Sequence, residues 1–210
     1  TAYEIPKRDW SSDVCSSDLM RSGWLTTGPI TAAFEEAFAG AVGARYALAV
    51  NSATAGLHLS LEALGVHEGD TVLTTPWTFT ATAEVVRYLG ADPVFVDIER
   101  DTLNIDPEEL HRTAARLDQA TGVKPRAVIP VHIGGQTCQM QRILQIAQAH
   151  RLAVVEDAAH AFPAPNDGLD PRALAATLGD ADLGRLAGDI TGAANRYRRS
   201  EEHTSELQSR

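Results

Sequence analysis

A chain of 210 residues, 44% of them hydrophobic, is long enough for one domain or perhaps two, with a real apolar core. Its formal net charge is −10, and no basic stripe offsets the acids, which argues against a nucleic-acid or polyanion partner. No apolar run is long enough to span a bilayer and no charged-then-apolar stretch resembles a signal peptide, so a cytoplasmic location is expected.

Residues 1–8 are either a displaced piece of the same protein or something else, and eight residues do not decide between the two. Residues 9–19, DWSSDVCSSDL, are polar and without amphipathic period, and residues 199–209, RSEEHTSELQS, are equally featureless. The two are related as DNA: one nucleotide string encodes the first and its reverse complement encodes the second, in the manner of a sequencing-library adapter read as coding sequence. Both are set aside from fold reasoning. Cys15 falls in the first of them, which leaves Cys138 alone in the remainder and no disulfide framework.

Between these segments helix and strand periods alternate. Phe34, Phe38, Ala41 and Val42 stand at helical spacing and Gly43 stops that helix. Residues 46–50 read as a short strand. Residues 54–64 read as a helix with Leu57, Leu61 and Leu64 on one face and Gly65 closing it. Residues 72–75 form the next expected strand, 79–89 a helix, and 93–96 another strand. Asp106 is an expected N-cap, followed by Pro107 at the first helical position and Glu109 three residues after the cap, opening a helix to about residue 120. A strand at 127–131, a helix at 139–150 and the central strand at 152–156 complete the pattern. Such alternation implies right-handed crossovers and a mostly parallel sheet with helices on both faces.

Four stretches carry chemistry. LAVVEDAAHAF at 152–162 reads as a buried strand ending in Glu156-Asp157, and in an open parallel sheet the carboxyl ends of the strands line the ligand crevice. A carboxylate there can keep a pyridine nitrogen protonated, or can merely cap the next segment. Residues 51–56, NSATAG, gather hydroxyls and free backbone N–H groups at a helix N-terminus; this is a phosphate seat or an ordinary cap, and the two uses are compatible. Residues 76–82 place aromatic rings after a strand, and residues 130–136 place a glycine turn after another. No His/Cys/Asp spacing has a metal-site pattern.

With these stretches in order, the chain resembles the DegT/DnrJ/StrS-type sugar aminotransferases, a pyridoxal-phosphate (PLP) family of the aspartate-aminotransferase fold. The matching words are SGWLTTGP at 22–29, NSATAGLHL at 51–59, PWTFTATA at 76–83, GADPVFVDI at 90–98, IPVHIGGQ at 129–136 and VVEDAAHA at 154–161. The resemblance runs from about Met20 to about Ala164. It implies a three-layer α/β/α fold with a mostly parallel sheet, the large domain of a fold-type-I transferase. It further implies that Ser52, Ala53 and Thr54 hold the cofactor phosphate, that Phe79 covers the pyridine ring with Trp77 as the weaker candidate, and that Asp157 faces the ring nitrogen. His160 stands where the family has Gln or His near the phenolic oxygen, and His132 reads as structural.

After Ala164 the family continues with a glycine-rich turn, an aromatic-serine-aromatic strand and the lysine that forms the Schiff base. Here Gly179-Asp180-Ala181 faintly resembles the turn, and no lysine follows. The chain has two lysines, Lys7 and Lys124, neither at the family's position, so no catalytic residue of that type is expected. The expected organisation is a stub plus adapter-like segment over residues 1–19, a partial PLP-binding large domain over 20–164, an unassigned stretch over 165–198 and a second adapter-like segment over 199–210. The resemblance implies a parent enzyme, a homodimer, that moves an amino group from glutamate to a keto-sugar nucleotide, and a present chain without turnover. A PLP-dependent sugar dehydratase relative and a non-catalytic ligand- or partner-binding pseudoenzyme are the alternatives.

Overall fold

The structure is a computed structural model that describes residues 28–121 and 125–161. These belong to two compact units that divide after Ala49.

In the first unit, helix α1 (Pro29–Val42) opens with Pro29 behind an extended Gly28, where proline's fixed φ is already helical. It ends as expected at Gly43, whose φ of 67° is left-handed, and the Ala44 N–H reaches back to the Ala39 carbonyl at 2.9 Å. Phe34 and Phe38 lie one turn apart, ring centroids 5.8 Å. The strand expected at 46–50 does not form. A strand needs a ladder partner, and the Ala49 N–H is instead taken by the Glu35 carboxylate at 2.8 Å.

The second unit begins with α2 (Ala53–Ala63), capped by Ser52, whose Oγ accepts the Ala55 N–H at 3.1 Å. Gly65, φ 71°, turns the chain at its far end, where the Arg126 guanidinium donates to the Leu64 carbonyl at 3.1 Å. Then follow β1 (Thr71–Thr74), α3 (Thr80–Tyr88), β2 (Asp92–Phe95), α4 (Pro107–Thr121), β3 (Ala127–Ile129), a 3-10 turn (Ile133–Gly135), α5 (Met140–His150) and β4 (Ala153–Val154). Asp106 caps α4 through Oδ1 to the Glu108 N–H at 2.8 Å. The reciprocal half of a capping box is absent, because the Asp106 N–H is spent on the Asp97 carbonyl and Glu109 pairs with Arg112.

The strands form one parallel sheet in the order β2-β1-β3-β4. Successive residues on a strand face opposite sides, and two cores follow from that alternation. Val72, Ala127 and Ile129 pack with Leu57 and Leu61 of α2 and Val85 and Val86 of α3. Leu73 and Val128 pack on the other face with Leu110 and Ala114 of α4 and Ile143, Ile146 and Ala147 of α5. The result is the three-layer α/β/α arrangement. Leu61, Leu73, Leu110, Ile129 and Ile143 are fully buried, each contributing about 1.5–3 kcal/mol. The stretch at 152–156 is shorter than expected and is the outermost strand among the described residues, not the central one, because it has a ladder partner only on the β3 side. Among the described residues no helix is long and apolar enough to cross a membrane.

Candidate active site

From β1 the chain steps outward to β2 by way of α3 on one face; from β3 it steps outward to β4 by way of α5 on the other. The winding reverses between β1 and β3, and a doubly wound sheet opens its ligand crevice at the carboxyl ends of such a pair. Three of the loops that leave the sheet at that edge are 75–79 after β1, 130–136 after β3, and 155–161 after β4.

Asp157 is the buried acid of the third loop, only 9% exposed. Its backbone continues the β3–β4 pairing, donating to the Pro130 carbonyl at 2.9 Å and accepting from the His132 N–H at 3.1 Å. Its carboxylate accepts from the Thr82 hydroxyl at 2.8 Å and from the Ala159 N–H at 3.3 Å. An ionised carboxylate only accepts, so the Thr82 proton points to Asp157 and Thr78, 2.8 Å from Thr82, donates to it in turn. Among the described residues no cationic side chain pairs with Asp157. Sequence reasoning missed Thr82; the signal available was a threonine in the first turn of a helix that follows a core strand.

Phe79 takes the N-cap position of α3, three residues before Thr82, and its ring is 79% exposed. Trp77 is also exposed, at 55%. Ser52, Ala53 and Thr54 open α2; Ser52 and Ala53 are exposed and Thr54 half-buried. Because Arg126, just ahead of β3, binds the C-terminal end of α2, that end lies at the amino ends of the strands. Eleven residues at ~1.5 Å each carry the N-terminus about 16 Å back, to the edge where Asp157 sits. The structure thus brings Phe79's turn to Asp157 through a bond and sets Ser52, Ala53 and Thr54 at the same edge of the sheet. Among the described residues no hydrogen bond joins the α2 N-terminus to Asp157. His160 exposes its side chain, while its carbonyl lies against Gly135, where an added Cβ would stand 2.8 Å from the oxygen.

His132 is 2% exposed. Its Nε2 lies 2.9 Å from Glu156 Oε2, and its Nδ1 accepts the Cys138 N–H at 3.2 Å. Asn104, equally buried, braces the same turn: its Oδ1 accepts the Ile133 N–H at 3.1 Å and its Nδ2 donates to the Gln136 carbonyl at 3.0 Å.

A reversing parallel sheet with a buried acid, free of cationic partners among the described residues, and a capped helix N-terminus at its carboxyl edge is the architecture of an α/β enzyme that holds a small ligand there. The chain belongs to the DegT/DnrJ/EryC1/StrS aminotransferase family, whose model matches residues 13–185, further along the chain than the sequence words reach. It is 50% identical over 145 residues to the spore coat polysaccharide biosynthesis protein SpsC of Bacillus subtilis (strain 168), covering 69% of this chain and 36% of that protein. The crystal structure of a DegT DnrJ EryC1 StrS aminotransferase from Brucella abortus is similar at a TM-score of 0.66 and 35% identity, over 68% of this chain and 38% of that one. NtdA from Bacillus subtilis, with bound cofactor PMP, follows at 0.61 and 33%, over 68% and 31%. The chain therefore spans about a third of the length of these relatives.

The described residues fit the ring and phosphate ends of such a cofactor. Asp157 keeps acceptor capacity toward a pyridinium N–H, and the first turn of α2 offers backbone donors to a phosphate. They do not supply the covalent anchor, since both lysines lie outside the described residues.

Proposed function

We propose that this chain carries the cofactor-binding part of a PLP-dependent aminotransferase whose parent moves an amino group from glutamate to a keto-sugar nucleotide in the cytoplasm. The observation that carries the reading is the buried Asp157 carboxylate, held at the carboxyl edge of the sheet by Thr82 and Ala159 and without a cationic partner among the described residues. PLP, when bound, supplies the electron sink for the transfer.

The chain's own residues do the holding. Ser52, Ala53 and Thr54 present hydroxyls and N–H groups to the phosphate, in the field of the α2 dipole. Phe79 offers an exposed ring to cover the pyridine, where offset stacking adds about 0.5–1.5 kcal/mol beyond burial. Asp157 would keep the ring nitrogen protonated, and His160 would be the residue near the phenolic oxygen. In this reading residues 20–164 are a partial large domain and the parent is a homodimer. The adapter-like segments at 1–19 and 199–210 and the unassigned stretch at 165–198 lie outside the described residues. With no lysine at the family's position, cofactor binding here is non-covalent and this chain does not turn over.

The test has two arms. Fluorescence titration with pyridoxamine phosphate is expected to saturate and to fail in Asp157→Ala. Borohydride reduction after incubation with PLP is expected to leave no adduct on any lysine. A stoichiometric adduct at Lys124 overturns the non-covalent reading, and absence of saturable binding overturns the site.

A further inference from the structure

The row Cys138, His132, Glu156 has the order of a thiol–imidazole–carboxylate triad, with Sγ 3.4 Å from Nδ1 and Nε2 2.9 Å from Oε2. It does not work as one. Cys138 is 2% exposed, its Sγ donates to the Val131 carbonyl at 3.2 Å, and burial pushes the thiol up to about 12, so no thiolate faces a substrate.

What the row does instead follows from proton positions. The Cys138 N–H points at Nδ1 of His132, which must therefore be the bare nitrogen, and the ring proton sits on Nε2 and is donated to Glu156. The His132 backbone N–H meanwhile holds the Asp157 carbonyl. One buried residue of the β3 loop thus grips two consecutive residues of the β4 loop. That grip falls where it is most needed, since β4 is two residues long and paired on one side among the described residues.

Resting on the reading of Asp157 as the partner of the cofactor ring, we infer that His132 is a positioning residue. Fixed in its Nε2–H form by the Cys138 amide, it locks Glu156 with its ring and Asp157 with its backbone, and so sets the direction of the Asp157 carboxylate. Asn104 braces the β3 loop itself, and the close approach of Gly135 to the His160 carbonyl brings the two loops together beside this grip.

The test compares the protein with two pairs of variants, His132→Gln with His132→Asn and Glu156→Gln with Glu156→Ala. Gln at 132 carries an amide N–H out to where Nε2 stood, whereas Asn does not reach; Gln at 156 still offers a carbonyl to the ring, whereas Ala offers nothing. Amide hydrogen exchange at Asp157 and Ala159 is measured without ligand, and pyridoxamine phosphate affinity by fluorescence. The Gln variants are expected to keep slow exchange and affinity. His132→Asn and Glu156→Ala are expected to exchange faster and to bind about tenfold more weakly, the worth of one hydrogen bond to a charged group. Long-range 1H–15N spectra of the imidazole should show a protonated Nε2 and a bare Nδ1. Equal behaviour within each pair, or the opposite tautomer, overturns the inference. If the unmodified protein binds no pyridoxamine phosphate, the cofactor reading falls while hydrogen exchange still decides the positioning role. If His132→Asn does not fold, the Glu156 pair, on a partly exposed side chain, decides it alone.

Discussion

Asp157 and Thr82 show how a single hydrogen bond ties a helix to the carboxyl edge of the sheet. Thr82 is fully buried, and Val has nearly its shape, so Thr82→Val removes the hydroxyl while leaving the packing in place. It leaves one carboxylate oxygen and the Thr78 hydroxyl without their partner, a loss of about 1–3 kcal/mol. Urea unfolding measures it, and pyridoxamine phosphate binding should weaken with it. Gly135 gives the second residue-scale prediction. Its φ is 85° and an added Cβ would meet the His160 backbone oxygen at 2.8 Å, which cannot swing aside as a side-chain tip could. Gly135→Ala should therefore cost about 1–3 kcal/mol, clearly more than Gly134→Ala, where φ is 59° but no atom lies within 4 Å. Equal unfolding midpoints for the two would refute the contact. The strand-end position of Asp157 and the capping role of Ser52 were legible in the sequence because each announces itself locally, as an acid ending an apolar run and a hydroxyl opening a helix. Thr82 was not, because its partner lies 75 residues away.

At the scale of elements, the sequence located β1, β2, β3 and the five α-helices of the described residues, usually to within a residue or two. Strand limits shifted because the ladder sets them: β1 is in register from Thr71↔Asp92 to Thr74↔Phe95, a frame that hydrophobicity alone does not mark. The strand at 46–50 was misread for the same reason, an apolar run being no guarantee of a partner. The α4–α5 seam carries a pH dependence. His150, closing α5, sits with Nε2 3.0 Å from Nδ1 of His111 on α4. Burial foremost, then His111, lowers its proton affinity, with Asp118 opposing. The unfolded chain then binds more protons than the folded one, so stability is full above the ordinary imidazole value of about 6.5 and declines as pH falls through it toward the folded value. His150→Gln should flatten that decline in urea midpoints taken between about pH 5 and 7. Glu108, lowered chiefly by its hydrogen bond to Arg142, leaves this window alone because it titrates in the carboxylate range.

For the whole molecule, the outer strands decide behaviour in solution. Among the described residues β2 and β4 each pair on one side only, and the second unit exposes Trp77, Phe79, Tyr88 and Phe95. Open strand edges beside exposed aromatic rings favour association. Size-exclusion chromatography over a concentration series, with thermal unfolding, should show self-association and a broad transition; a monodisperse species with one cooperative transition would show that the sheet needs no further cover. The reversal of winding between β1 and β3 has a kinetic side as well. Neighbouring strands in the middle of the sheet are far apart along the chain, as the 55-residue span of the Thr74–Ile129 bond shows, and the Thr82–Asp157 bond closes only after β4 has docked. Loop closure over such distances is slow, and rates fall as contact order rises. The carboxylate is therefore expected among the last groups to reach its place during refolding, and on the proposed reading a cofactor analogue added to a refolding chain would report the final step of folding, not its beginning.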